Sequence, residues 1–411
     1  MLDELGRVTD EPGRLTRTFL SPAMKRANAL VAGWMKKTGL KVRTDSFGNL
    51  IGRLEGSTMG ARTLLLGSHL DTVRSAGKFD GPLGVLLPIV ALAGLARSGV
   101  RLPFAVEVVG FSEEEGVRFA SGYLGSKGFC GKLTAADLKL RDASGVAVGE
   151  ALERWNGLSP RHSNQRAGDI GLDRPAHRTG NLLGYLEVHI EQGPVLEKRG
   201  LAVGVVSAIA GQSRFKLTWT GQAGHAGTTP MNLRRDALAG AAEFAVGVEA
   251  IARRTPGLVA TIGALTVSPG AANVIPGEVT HTLDVRHARD QVRRFALRQI
   301  GRLATGIARR RRLERRWQRT QEDGAVVCSP GLTARLAQSV RAVQGRGISL
   351  VSGAGHDGVV VSSLAPVAML FVRCRGGLSH HPDEHAAAGD LDVARRVMID
   401  FLQRLAASYA D

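Results

Sequence analysis

The sequence predicts an α/β protein: a larger α/β domain, residues 1–209 and 323–411, interrupted by a small α+β domain of βαββαβ order, residues 210–322. Three observations predict it. The 411 residues exceed what one ordinary core accommodates. Short apolar strands interleave with helical segments toward both ends of the chain, as in a sheet covered on both faces. In the middle, two-residue alternation takes over, and the elements follow the split βαβ order of a ferredoxin-like sandwich.

In order, residues 22–38 carry a helical period, and 64–66 is a short buried strand after Thr63. Residues 82–97 form an apolar helix with Pro82 in its first turn, where proline is tolerated. Strands follow at 104–111, 185–190, 203–209, 348–351 and 367–372, and a helix at 390–407 closes the chain. The polar stretch 159–181, with several Gly, Arg and Pro, is expected as a surface excursion. Within the insert, Phe215, Leu217 and Trp219 alternate with Lys216, Thr218 and Thr220, marking a half-buried strand. An alanine-rich helix at 234–254 and a strand at 259–267 come next. In the strand 279–286, Leu283 and Val285 point one way and Asp284 and Arg286 the other. A helix at 290–308 and a strand at 313–320 complete the unit.

Composition is that of an ordinary globular protein, 44% hydrophobic and 22% charged. No basic stretch leads into an apolar one at the start of the chain, so no secretory signal is expected. The longest apolar run, 83–96, contains Pro88 and Gly94 and falls short of the ~20 residues a bilayer span needs. Cys130, Cys328 and Cys374 are odd in number and far apart, which predicts a reducing cytoplasm with neither disulfides nor a thiolate metal site. The net charge of +17 is mostly arginine, densest at Arg309, Arg310, Arg311 and Arg312, followed by Arg315, Arg316 and Arg319. No nucleic-acid-binding signature accompanies that run, so nucleic acid is not the expected partner. The charge can instead steer small carboxylate substrates.

The chemistry-bearing residues cluster at strand ends. His69 and Asp71 alternate after the first strong strand, so Asp71 can orient His69 through its second ring nitrogen, or the two form a structural pair. Asp80 precedes Gly81 and Pro82, as a helix cap or as an exposed ligand. Glu113, Glu114 and Glu115 repel one another unless they lie in a solvated loop or beside a dication. His189 shares the polar face of a sheet strand with Glu187 and Glu191, a placement that a ligand role explains. His380, His381 and His385 suggest a metal site, and spacing does not choose among them. Nitrogen and oxygen donors without thiolates suit zinc, manganese, cobalt or nickel. A carboxylate shared between two ions makes a hydrolytic two-metal site.

Six strings in this order resemble the M20-type metallohydrolases: Ser-His-Leu-Asp-Thr from Ser68, Glu-Glu-Glu-Gly-Val-Arg-Phe from Glu113, His-Ile-Glu-Gln-Gly-Pro-Val-Leu-Glu from His189, Gly-His-Ala-Gly-Thr-Thr-Pro-Met from Gly224, Asn-Val-Ile-Pro-Gly from Asn273, and Ser-Gly-Ala-Gly-His-Asp from Ser352. The branch they resemble most contains allantoate amidohydrolases, N-carbamoyl-L-amino acid hydrolases and β-ureidopropionases. The resemblance implies a catalytic domain holding two divalent ions and an inserted domain that serves as lid and dimerisation element. It implies His69, Asp80 and His189 on one ion, and Asp80, Glu115 and His380 on the other. It makes Glu114 the general base. Asp71 and His225 join it as catalytic residues, with His225 reaching the other subunit of a homodimer and polarising the substrate carbonyl. Asn273 and Arg286 would grip the substrate carboxylate, and Gln192, Gly355 and His356 would line the pocket. A small anionic ureido compound is the implied substrate: allantoate first, N-carbamoyl-L-amino acids second, β-ureidopropionate third. One departure stands out. Where the family often has paired glycines ahead of the aspartate, this chain has Lys78.

Overall fold

The computed structural model describes residues 1–157, 175–178 and 180–409, so most of the expected excursion at 159–181 lies outside the described residues. The chain forms two compact units, Met1–Ser207 with Val327–Asp411, and Ala208–Val326.

The first unit is built on a mixed sheet. Its centre is four parallel strands in the spatial order Ala105–Phe111, Thr63–His69, Leu182–Ile190 and Val367–Val372. Antiparallel strands flank them: Leu50–Leu54 and Lys41–Thr44 on one side, Val203–Ile209 on the other, with Ser349–Ser352 paired to the last. Every residue of Thr63–His69, Ala105–Phe111 and Val367–Val372 is buried. That is why these runs read as continuous apolar segments without alternation. Helix Pro82–Arg97 is hydrophobic all round and correspondingly buried. Helix Pro22–Lys37 begins at Ser21, whose hydroxyl accepts the Met24 amide at 3.1 Å. Met24, Val31, Leu86, Ile89, Phe401 and Leu402 join one core with the central strands. Helices Val148–Trp155 and Pro330–Gln344 were not anticipated, although Leu332, Leu336 and Val340 of the latter bury one four-residue-spaced stripe.

Because the four central strands are parallel, His69, Phe111, Ile190 and Val372 all end at one edge of the sheet. The loops that follow those ends carry Asp71, Glu113 to Glu115, Gln192 and His380. This is the edge where open α/β sheets place their sites.

The second unit has the predicted βαββαβ order. Its antiparallel sheet runs Leu265–Ser268, Glu278–His287, Gly211–Thr220, Glu314–Asp323, and helices Ala237–Arg254 and Asp290–Arg311 supply the rest of its core. Trp219 is fully buried there and donates its indole N–H to His281 Nε2 at 2.9 Å. Three details differ from expectation. The first helix starts at Ala237, capped by Asp236, because Arg234 turns its guanidinium to the Thr229 and Ala226 carbonyls at 3.0 and 2.5 Å. The strand expected at 259–267 is two short strands, Val259–Thr261 and Leu265–Ser268, parted where Ala264 exchanges hydrogen bonds with Thr282. The second helix extends through Arg311, and Arg312 ends it in a left-handed conformation. The arginine run is thus a helix's last turn, where cations complement the helix dipole.

Candidate metal centre

Asp80 is the hub of the site. Its Oδ1 lies 3.0 Å from His189 Nε2 and 3.4 Å from His69 Nε2. Its Oδ2 lies 3.4 Å from His380 Nε2, and His380 Nε2 is in turn 3.6 Å from Glu115 Oε1. Ligand atoms gather in three sets, each within 4.8 Å: His69–Asp80–His189, His69–Glu114–Glu115 and Asp80–Glu115–His380. Asp80 does not cap the helix behind it. Gly81 occupies that position with φ +79°, and a Cβ on it would fall 2.4 Å from the His69 ring. Glycine is what lets His69 sit against the helix start.

The other ring nitrogens decide what these histidines offer. His69 Nδ1 is 3.0 Å from the Asp71 carbonyl, and His189 Nδ1 is 2.9 Å from the Ile190 carbonyl. A carbonyl only accepts, so in each neutral ring Nδ1 carries the proton and Nε2 presents a lone pair. Two lone pairs then face one carboxylate oxygen in a buried site. A cation must lie between them, either protons or a metal ion. The donor set therefore fits a metal.

Electrostatics agree. Burial alone would push the Asp80 carboxyl up, but His189, His380 and His69 hold it well below the usual carboxylate range. Burial and the charge of Glu115 push Glu114 well up, and burial and Asp80 bring Glu115 to about 7. Burial and Asp71 raise Glu113 as well. Burial opposes charging of His69, yet Asp71 and Asp80 outweigh it and raise its pKa well above the imidazole range. Carboxylates crowded enough to take up protons, beside histidines that keep theirs, are what an anion-rich pocket does without a dication.

Several residues around the hub set its geometry. The Asp71 carboxylate lies 3.4 Å from His69 Nδ1, farther than its own carbonyl, and it accepts the Glu114 and Glu115 amides at 3.0 and 3.1 Å. The expected orienting contact to His69 thus runs chiefly through the Asp71 backbone, while its side chain fixes the two glutamates. Gln192 donates to Asp80 Oδ2 at 2.8 Å and to Ser379 at 3.2 Å. Gln192 and His380 both hold left-handed backbone, φ +55° and +57°. His356 is buried, meets the His189 ring edge-on with centroids 4.5 Å apart, and hydrogen-bonds Ser352 Oγ at 2.7 Å. Burial and His189 depress its pKa well below 6.5. A Cβ on Gly355 would strike the Tyr123 hydroxyl at 1.8 Å. His381 and His385 are exposed and belong to none of the three sets.

The second unit holds the remaining expected residues. His225 and Asn273 are neighbours on a two-stranded ribbon, where the Ala226 amide donates to the Asn273 carbonyl at 2.9 Å. Arg286 lies on strand Glu278–His287 and grips Asp284 through Nε and Nη2 at 2.9 and 2.8 Å. Arg214 reaches the same carboxylate at 2.8 Å, so two guanidiniums share one aspartate.

Sequence reasoning missed two supports of Asp80. Ser379 donates to Asp80 Oδ2 at 2.5 Å and to Glu384 Oε2 at 3.2 Å. Glu384 Oε1 accepts the Phe79 and Asp80 amides at 2.8 and 3.0 Å. Both lie in the stretch 379–385 that carries His380, His381 and His385. Arg17 is fully buried and donates to the Leu70 carbonyl at 2.6 Å, directly after His69. Nothing in its sequence neighbourhood marked it.

Residues 65–404 match the model of peptidase family M20/M25/M40. Allantoate deiminase 2 of Glycine max is 39% identical over 98% of this chain and 88% of its own length. An N-carbamoyl-L-amino acid amidohydrolase of Geobacillus stearothermophilus is 40% identical over 98% of this chain and 97% of its own. Among solved structures, an amidase of the hydantoinase/carbamoylase family from Burkholderia multivorans superposes with a TM-score of 0.89 at 33% identity, covering 98% of this chain and 96% of that one.

Proposed function

Because the chain belongs to peptidase family M20/M25/M40, we propose that it is a metal-dependent hydrolase that cleaves the C–N bond of a ureido group, with allantoate as substrate. The observation that carries the reading is the shared Asp80, whose two oxygens face separate ligand pairs. Two divalent ions fit there, zinc or manganese first, one held by His69, Asp80 and His189 and one by Asp80, Glu115 and His380. When bound they supply Lewis acidity, acidifying water and stabilising charge on the carbonyl oxygen.

The protein's own groups do the rest. Glu114, its backbone pinned by Asp71 and its carboxyl raised, takes a proton from the attacking water and returns it to the leaving nitrogen. A carboxyl raised by burial and by Glu115 holds a proton more readily than a free one, which suits the return half of that shuttle. By motif position alone, His225 meets the substrate carbonyl from a partner subunit, and Asn273 and Arg286 hold the carboxylate, for which a guanidinium fork is suited. The products are ammonia, carbon dioxide and the amine-bearing remainder of the substrate. A second reading is N-carbamoyl-L-amino acid hydrolysis. The equal likeness to relatives of both names favours keeping it.

Ammonia release from allantoate and a series of N-carbamoyl-L-amino acids, each with manganese, zinc or cobalt, tests the reading. The highest kcat/KM is expected for allantoate, and turnover of none of these compounds would overturn it. Glu114→Gln should keep its bound metal and lose turnover by about 100-fold or more.

A further inference from the structure

Away from the metal centre, three cationic side chains meet at one cavity of the first unit. It is a solvent-open cleft of about 500 Å³ whose lining includes Arg7, Lys78 and Arg375, and none of His69, His189 or His380 borders it. Lys78 pairs with Asp3 and lies 5.4 Å over the Phe79 ring. Arg7 and Arg375 make no ion pair and donate no side-chain hydrogen bond among the described residues. Three acids share the same wall. Asp3 holds Lys78, Asp383 lies 3.7 Å from His381, and Glu384 takes the Phe79 and Asp80 amides.

Among the described residues, Arg7 and Arg375 have no carboxylate within ion-pair distance, so their guanidinium donors stay open to an added anion although Asp3, Asp383 and Glu384 share the wall. The volume is that of a small-molecule site. Guanidinium forks match carboxylate and phosphate oxygens in pairs. Lys78 is also a position where this chain departs from the paired glycines that the family it resembles often has.

We propose that this cavity is an anion site, separate from the substrate site, which takes a small dianion, a dicarboxylate or a phosphate, between Arg7 and Arg375 with Lys78 as third donor. The site shares Glu384 with the shell of Asp80, which sets it beside the metal centre without opening into the ligand set.

Calorimetric titration of the metal-loaded protein with succinate and, separately, with inorganic phosphate tests this. Wild type is expected to bind one equivalent of at least one anion in an event that weakens about tenfold or more in Arg7→Gln/Arg375→Gln. Turnover by that double variant should be retained, which shows that it folds and that any anion taken at the metal centre is still bound. Lys78→Gly is expected to weaken the same event without abolishing it. Binding of succinate alone supports a dicarboxylate, and binding of phosphate alone supports a phosphate. The proposal is overturned if neither anion binds to wild type, or if the double variant binds both as wild type does.

Discussion

Three segments of chain converge on the Asp80 carboxylate, through His69, through His189 with Gln192, and through His380 with Ser379. Its neighbour Gly81 makes this possible. Alanine there would be strained at φ +79° and would press on the His69 ring. Gly81→Ala should therefore lower bound metal per chain and destabilise the protein by about 1–3 kcal/mol. Elemental analysis beside a thermal melt checks it, and full metal occupancy would count against the geometry. His380 gives a pH dependence. Its hydrogen bond to Asp80 raises it to about 9, so below that pH the metal-free protein holds a proton which an ion must displace. Apparent metal affinity should then rise by about tenfold per pH unit or more from neutrality toward 9. Glu115, at about 7, adds a second proton to displace below neutrality. Calorimetry in buffers of different ionisation enthalpy reads the released protons, and heats independent of buffer would contradict the assignment. At this scale much was legible. His69, Glu115 and His189 could be named because they stand in long strings, and Asp80 and His380 only through the resemblance those strings carry. The roles of Ser379, Glu384 and Arg17 could not, because a sequence does not show which distant carboxylate, amide or carbonyl a side chain will meet.

The elements that matter most are the parallel strands whose ends align the ligands. Thr63–His69 lies between Ala105–Phe111 and Leu182–Ile190, and Gly67 lets it approach closely: a Cβ there would meet the Val109 carbonyl at 2.1 Å. Gly67→Ala should cost about 1–3 kcal/mol of stability, by overpacking between strands. Urea denaturation reads it, and an unchanged midpoint would show that the strands can part at little cost. These strands were legible because burial on both faces leaves an unbroken apolar run. The 259–267 segment misled for the converse reason. Leu265 and Val267 are β-branched or apolar yet exposed or half-buried, so pattern alone joined what Thr282 divides. Helix Pro330–Gln344 escaped because three of its stripe positions are separated by Arg, Gln and Ser, which hide a narrow apolar face.

At the scale of the whole molecule, each compact unit has its own core, one around Leu86, Ile89 and Phe401 and one around Trp219 and Phe244. Residues 208–326 expressed alone should fold cooperatively, with the emission of Trp219 and Trp317 shifting in a single denaturation step. A gradual, non-cooperative change would show that this core does not suffice alone. No helix among the described residues is long and apolar enough to cross a membrane. The chain leaves the first unit at Ser207 and re-enters it at Val327, and the Ser207 carbonyl accepts the Cys328 amide at 3.0 Å. The two cut ends of the larger unit are thus already tied together as neighbouring strands, Val203–Ile209 beside Val326–Val327. A gene encoding this protein could exchange or lose the whole intervening segment and need only a few residues to reseal the break, which makes that pair of positions a natural splice point for recombination and for protein engineering.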